Sequence, residues 1–303
     1  MPGVPVIFDR ALLARRRARA ANSMASADFL LKAVAEDFAD RLSMIKRDFD
    51  HAADLGAHTG LVADAVGALP NVGMVVRTDR SPELLLRQPG LRLACDEELL
   101  PFAAESLDLV VSGLSLQWVN DLPGTLAQIA AAIKPDGLFL AALLGGDTLH
   151  ELRQALTVAE SEISGGASPR VSPFVDVRDM GALLQRAGFA LPVTDTDRLV
   201  ARYDDLFALM RDLRATGATN VLAERSRKPL SRAVLSRAAE IYAERFAAED
   251  GRIPATFEIV TATGWRPHES QQQPLSPGSA RVRLADALGT MEIPAGEKTR
   301  PRR

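Results

Sequence analysis

The 303-residue chain has a single cysteine, Cys95, so no intrachain disulfide can form. That fits a reducing, cytoplasmic setting. No run of about 18 apolar residues occurs, which predicts no membrane-spanning helix. The N-terminus lacks the apolar core of a secretory signal. The four histidines, His51, His58, His150 and His268, show no metal-ligand spacing, and no metal site is predicted. A formal net charge of −3 provides no overall field for nucleic acid. What is present is an apolar fraction of 47%, enough for a globular core. Both ends are basic, "ALLARRRARA" near the start and "GEKTRPRR" at the finish. Two readings stand for these ends: solvated termini, or a docking surface for an acidic protein or a membrane.

The pattern divides the chain into a basic arm (1–23), one folded domain (24–267) and a Gln-, Pro- and Ser-rich tail (268–303) read as disordered. Within 24–46, Leu30, Val34, Phe38 and Leu42 recur every four positions and predict a helix. From about residue 50, short apolar runs alternate with helical segments. "MVVRTD" (74–79), "LRLACD" (91–96), "LDLVVSG" (107–113) and "LFLAALL" (138–144) read as strands. Leu122, Leu126, Ile129 and Ile133 mark a helix stopped at "KPDG". Later helices carry Leu149, Leu152, Leu156 and Ile163, then "VRDMGALLQRAGF" with Asp176 as its N-cap, then Leu206–Leu213 and Leu235–Phe246. "PVTDTDRLVARY" and "ATFEIVTATGW" supply two further strands. Such alternation predicts an α/β protein with a mostly parallel, doubly wound sheet covered on both faces.

The stretch "HAADLGAHTGLVADAVG" (51–67) raises the chemical question. Asp54-x-Gly56-x-His58-x-Gly60 is a degenerate form of the acid-and-glycine turn of S-adenosylmethionine methyltransferases. A dinucleotide fold would want glycine at the middle position. Asp79, followed by Arg80, ends the next strand, where a carboxylate can take both ribose hydroxyls. Asp96 and Glu97 end the third, placed to accept from an adenine amino group. Ser112 ends the fourth. Open α/β sheets bind ligands at these carboxyl ends. Each acid alone has a plain alternative: a strand end, an N-cap for "SPELLL", a solvated "DEE" run. His58 adds bulk where glycine would let the backbone approach a ligand, yet histidine tolerates left-handed backbone. It is read as a tolerated substitution or as a base beside the sulfonium.

Residues 96–156, with "LSLQWVNDLP" and "GGDTLHELR", strongly resemble the mitochondrial complex I assembly factor 5 family and its bacterial relatives. The likeness runs from Phe8 to about residue 270 through "SPFVDVRDMGALLQRAGF", "EDGRIPATFEIV" and "GWRPHES". It is more distant to the malonyl-carrier-protein methyltransferase of biotin synthesis. The resemblance implies a seven-stranded class I methyltransferase sheet with a helical lid after the fifth strand, in segments about 146–175 and 204–250. It implies S-adenosyl-L-methionine as cofactor and a role in maturing the respiratory NADH:quinone oxidoreductase. The reaction it implies is hydroxylation of an arginine on the quinone-module iron–sulfur subunit. A possible peripheral contact with the inner membrane would run through the basic arm. Position 58 departs from the family, which has glycine there.

Methyl transfer needs alignment and exclusion of water more than catalytic side chains, so the lack of a Ser/His/Asp set is no obstacle. Gln117 and Asn120 are placed to orient a substrate nucleophile, and Trp118 to stack against it or form a cation–π wall. Trp118 as helix packing and Asp121 as a helix cap are the structural alternatives. Glu97, Glu98 and Asp147 are candidate partners for an arginine substrate, and Gly145–Gly146 a hinge. Carboxyl methylation of a carrier protein and a non-catalytic assembly chaperone with a decayed pocket are the competing functions.

Overall fold

The computed structural model describes residues 5–272, 279 and 282–291. They fall into two units, Met1–His268 and Glu269–Arg303. The first begins with α1 (Arg10–Ala20) and α2 (Phe29–Ser43), then alternates β1 (Phe49–Leu55), α3 (Leu61–Gly67), β2 (Val72–Asp79), α4 (Pro82–Leu85), β3 (Leu91–Ala94) and β4 (Leu107–Gly113). There follow α5 (Leu122–Ala132), β5 (Ile133–Leu144), α6 (His150–Ser164), α7 (Val177–Arg186), β6 (Ala190–Tyr203), α8 (Leu206–Ala215), α9 (Arg232–Phe246) and β7 (Ile253–Trp265). The described part of the second unit holds one short helix, α10 (Leu284–Leu288); residues 273–278, 280–281 and 292–303 of the tail predicted to be disordered lie outside the described residues.

The seven strands form one sheet in the order β3-β2-β1-β4-β5-β7-β6. β1 to β5 pair in parallel, and β7 inserts antiparallel between β5 and β6. The order reverses at β1/β4, which opens the crevice where a ligand binds. Strand alternation divides the core cleanly. Ala53, Leu55, Val110, Phe139 and Ala141 face α5 and α7. Ala52, Leu109, Val111, Leu138 and Leu140 face α2 and α3. Both faces being covered explains why β4 is buried at every position.

Helix α2 starts at Phe29, five residues later than the predicted segment, and buries Leu31, Val34, Ala35, Phe38 and Leu42. α5 is capped by Asp121, whose side chain accepts from Gly124 N at 2.8 Å. It ends at Ala132, before Pro135, because Ile133 already has extended backbone. Asp176 caps α7 as predicted, accepting from Arg178 N. In α6, Leu149 just ahead of it, Leu152 and Leu156 are buried against α8, α9 and β7, whereas Ile163 is exposed.

The predicted solvated basic arm is corrected. Residues 10–20 form α1, and Arg10, Leu13, Arg17 and Ala20 make its buried face. Phe8 and Leu13 pack with Trp118, Val221 and Leu222. Only Arg15 and Arg19 of its five arginines are exposed. No described helix is long and apolar enough to cross a membrane.

Candidate cofactor site

The site forms around the turn between β1 and α3. Gly56 (φ +75°) and Gly60 (φ +90°) bracket it, both in left-handed backbone. A side chain on Gly56 would collide with Ser115, and one on Gly60 would sit 2.8 Å from both Arg77 Nη1 and Gln88 Oε1. His58 also adopts positive φ, +50°, so the left-handed conformation expected of it is present. Its ring is buried, and Nε2 lies 3.2 Å from the Leu114 carbonyl. Burial first, and the nearby Arg17 cation second, push its pKa down to about 3. His58 is therefore a neutral and very weak base, which removes it as a proton acceptor beside a sulfonium.

Asp54 and Asp79 end adjacent strands and are fully buried. Burial raises Asp54 to about 7 and Asp79 to about 6. Asp79 accepts from Ser81 N at 2.7 Å and His58 N at 3.2 Å. A carboxylate offers about four lone-pair sites, so capacity for two hydroxyls remains. The Ala63 N–H approaches Asp54 and tempers the rise in its pKa, but neither Asp54 oxygen has a well-formed hydrogen bond among the described residues. Asp96 and Glu97 are held by the Arg10 guanidinium, which also contacts Glu98. Ser115 Oγ donates to Glu97 at 3.0 Å, and Arg80 Nε lies 3.4 Å from Asp96. Ser112 is buried with its hydroxyl donating to the Leu55 carbonyl at 2.7 Å, a role in bracing β1 against β4.

The predicted substrate trio separates. Gln117 and Trp118 line a cavity of about 100 Å³ with His58, Arg17 and Asp28. Gln117 Nε2 donates to Leu114 O at 2.8 Å, and its Oε1 is buried without a partner among the described residues. Trp118 is edge-on to Phe8 (5.6 Å) and Phe174 (6.3 Å). Its ring also walls a second cavity of about 430 Å³ beneath α6 and α8. Packing and wall are thus the same role. Asn120 is drawn elsewhere: its Oδ1 accepts from Ile7 N (2.8 Å) and Phe8 N (2.7 Å), stapling the N-terminal segment. Nor does Asp147 reach the cleft; it is exposed and paired with Arg198. Gly145 is clasped by β7, its N–H donating to Glu258 O at 2.8 Å, which argues against a free hinge.

Sequence reasoning missed Arg10, Arg17, Asp28 and Gln88. Gln88 Nε2 supports the turn by donating to His58 O at 2.9 Å. The signal for the arginines was present: Arg10, Leu13 and Arg17 recur at i, i+3 and i+7, one helical face.

These residues fit a cofactor with a nucleoside and a cationic centre. Buried, partnerless carboxylate oxygens are costly unless a ligand meets them. With α1 in place, only about 10 Å³ remains beside Arg80 and Glu97. An open groove of about 430 Å³ lies alongside, lined by Arg10, Arg80, Asp96 and Glu98.

The methyltransferase domain family matches residues 53–141. The chain is similar in fold to a Bacillus halodurans protein assigned as a methyltransferase, with TM-score 0.53 and 15% identity over 77% of this chain and 98% of that one. The protein is thus an S-adenosylmethionine-dependent enzyme of the class I methyltransferase fold. Over 300 residues it is 42% identical to the Mus musculus "Arginine-hydroxylase NDUFAF5, mitochondrial", spanning 96% of this chain and 87% of that protein. It is 39% identical over 276 residues to the malonyl-[acyl-carrier protein] O-methyltransferase of Laribacter hongkongensis, spanning 86% and 90%. The chain belongs to the complex I assembly factor 5 family.

Proposed function

We propose that the chain modifies a protein side chain during assembly of the respiratory NADH:quinone oxidoreductase, by hydroxylating an arginine of the quinone-module iron–sulfur subunit; converting C–H to C–OH is a two-electron oxidation, with dioxygen as the oxidant and an external two-electron donor reducing its second oxygen atom to water. The observation that carries this reading is one continuous arrangement. Acids at or just past the ends of β1, β2 and β3 lie around the Gly56–Gly60 turn, and Trp118 is a shared wall of the small cavity beside His58 and of the 430 Å³ cavity under α6 and α8. A relative named as an arginine hydroxylase, matched over nearly the whole chain, supports the choice of reaction. In this reading Asp54 and Asp79 would hold the cofactor, whose sulfonium-activated carbon is the group supplied in methyl transfer and is not the oxidant of the hydroxylation. Gln117 and Trp118 form the wall where the substrate side chain meets it. α6 and α8 act as the lid that excludes water. Glu98, 28% exposed in an open groove with Asp96 and Asp9 and already contacted by Arg10, would receive the substrate guanidinium in exchange for that of Arg10. The partner subunit would be met at the membrane surface, with Arg15 and Arg19 facing outward.

One observation favours a second reading. The 430 Å³ cavity is lined by Arg16, Arg170 and Arg214, by apolar side chains, and by no carboxylate. Arg170 is paired with Glu160, but Arg16 and Arg214 have no carboxylate partner among the described residues. That lining suits a carboxyl-bearing substrate, as in O-methylation of a carrier-protein thioester.

The two separate by mass. The purified protein is incubated in air with S-adenosylmethionine, a two-electron reductant and either the iron–sulfur subunit or a malonyl carrier protein, and the products are analysed by peptide mass spectrometry. One added oxygen on an arginine, in the chain's presence only, supports the first reading. A methyl ester on the carrier supports the second. No change in either, with intact cofactor binding, contradicts both and leaves a scaffold.

A further inference from the structure

The small cavity beside His58 has one cation and one anion in a largely apolar lining. The cation is Arg17, from α1. Its side chain is 5% exposed, and its one ion pair among the described residues is a long one, 3.9 Å to Glu97. Glu97 is already held by Arg10 and Ser115, and Asp79, the other acid that Arg17 acts on, accepts from Ser81 N and His58 N, so the Arg17 guanidinium keeps donors to spare. No hydrogen bond from the Arg17 guanidinium exists among the described residues, although a buried guanidinium carries five donors. The anion is Asp28, the residue before α2, which accepts from Thr59 Oγ1 at 3.1 Å and meets no cation among the described residues. The third polar group is Gln117, 8% exposed, whose buried Oε1 lacks a partner. The rest of the lining is mostly Leu13, Met24, Leu30, Leu31, Leu114 and Leu144.

We propose that this cavity is the subsite for the α-amino-acid end of S-adenosylmethionine, with Arg17 binding its carboxylate and Asp28 and Gln117 Oε1 binding its ammonium. The inference rests on the cofactor assignment and deepens it. A fixed donor fork on one side and two acceptors on another match a zwitterion and no simple anion or cation. About 100 Å³ suits such a small group and excludes the nucleoside, which the strand-end acids receive. The arrangement also gives His58 a role. Its ring replaces open space at the turn, so the amino-acid end is gripped by side chains from α1 and α2 instead of by the turn's backbone.

Calorimetric titration with three ligands tests this. S-adenosylmethionine has both charged groups, its decarboxylated analogue keeps the amine, and 5′-methylthioadenosine has neither. Arg17→Gln is expected to weaken S-adenosylmethionine by about thirtyfold or more, the scale for losing one partner of a buried charge pair. Because Arg17 also favours ionisation of the nearby Asp79, the Arg17→Gln comparison is run at pH 9, where Asp79 is ionised with or without Arg17, and there the same variant should leave the other two ligands within about threefold. Asp28→Asn should weaken S-adenosylmethionine and the decarboxylated analogue, and spare 5′-methylthioadenosine. Arg17→Lys, which keeps the charge, should recover part of the loss, and circular dichroism confirms that each variant is folded. Equal losses for all three ligands in folded Arg17→Gln would make Arg17 a packing residue and overturn the proposal. Unchanged affinity for S-adenosylmethionine would place the carboxylate elsewhere and overturn it too. Failure of the unaltered protein to bind any of the three would instead overturn the cofactor assignment beneath it.

Discussion

At the scale of single residues, the account rests on carboxylates that burial keeps near the edge of ionisation. Asp54 and Asp79 have folded-state values of about 7 and about 6 against an ordinary 3.8. Between pH 3.8 and about 7 the folded, cofactor-free chain thus holds more protons than the unfolded one. Their contribution to stability is greatest at the acid end of that window and declines as pH rises through the folded values. Asp54→Asn removes one of these titrations. Its melting temperature should exceed that of the unaltered protein at pH 8, and the gain should shrink or reverse at pH 4, as read by thermal scans across that range. A gain independent of pH would contradict a buried, partnerless Asp54. Cofactor affinity should rise with pH through about 6, because hydroxyl groups of a ribose donate to the ionised form of Asp79. These acids were legible in the sequence, since strand ends can be counted from the apolar runs. Their burial was not, because it depends on α1 and α2 folding over them.

At the scale of elements, α1 shows what local reading leaves out. Five arginines in eleven residues look like a solvated face, and charge count outweighed helical phase. The phase places Arg10 and Arg17 inward, where three acids from the β3–β4 segment wait. Removing one side of a buried ion pair costs about 3–5 kcal/mol. Asp96 and Glu98 keep 32% and 28% of their side-chain exposure, so Arg10→Ala should cost less, about 2 kcal/mol by urea denaturation. A cost near zero would mean that α1 is not docked in solution. α5 is a simpler case, for its cap was readable from "NDLPG". Asp121→Ala should lower stability by about 1 kcal/mol with cofactor binding unchanged. Asn120, one residue earlier, illustrates the limit. Sequence spacing put it at the substrate, but its hydrogen bonds to Ile7 and Phe8 join segments 112 and more residues apart.

At the scale of the whole molecule, the seven-stranded sheet and both of its helical layers lie within Met1–His268. Deleting residues 269–303 should therefore leave the melting temperature and cofactor affinity unchanged. A large fall in either would show that the second unit supports the first. The overall architecture was legible because near-continuous apolar strands alternating with helices permit few arrangements. The antiparallel entry of β7 and the sharing of Trp118 by the walls of two cavities were not, since both depend on contacts far apart in the chain. The central claim is that the acids around the Gly56–Gly60 turn bind S-adenosylmethionine despite His58. Calorimetric titration of the unaltered protein and of Asp79→Ala with that cofactor tests it most directly. Saturable one-site binding that Asp79→Ala abolishes is the predicted result. No binding by the unaltered protein, or equal binding by both, would contradict it.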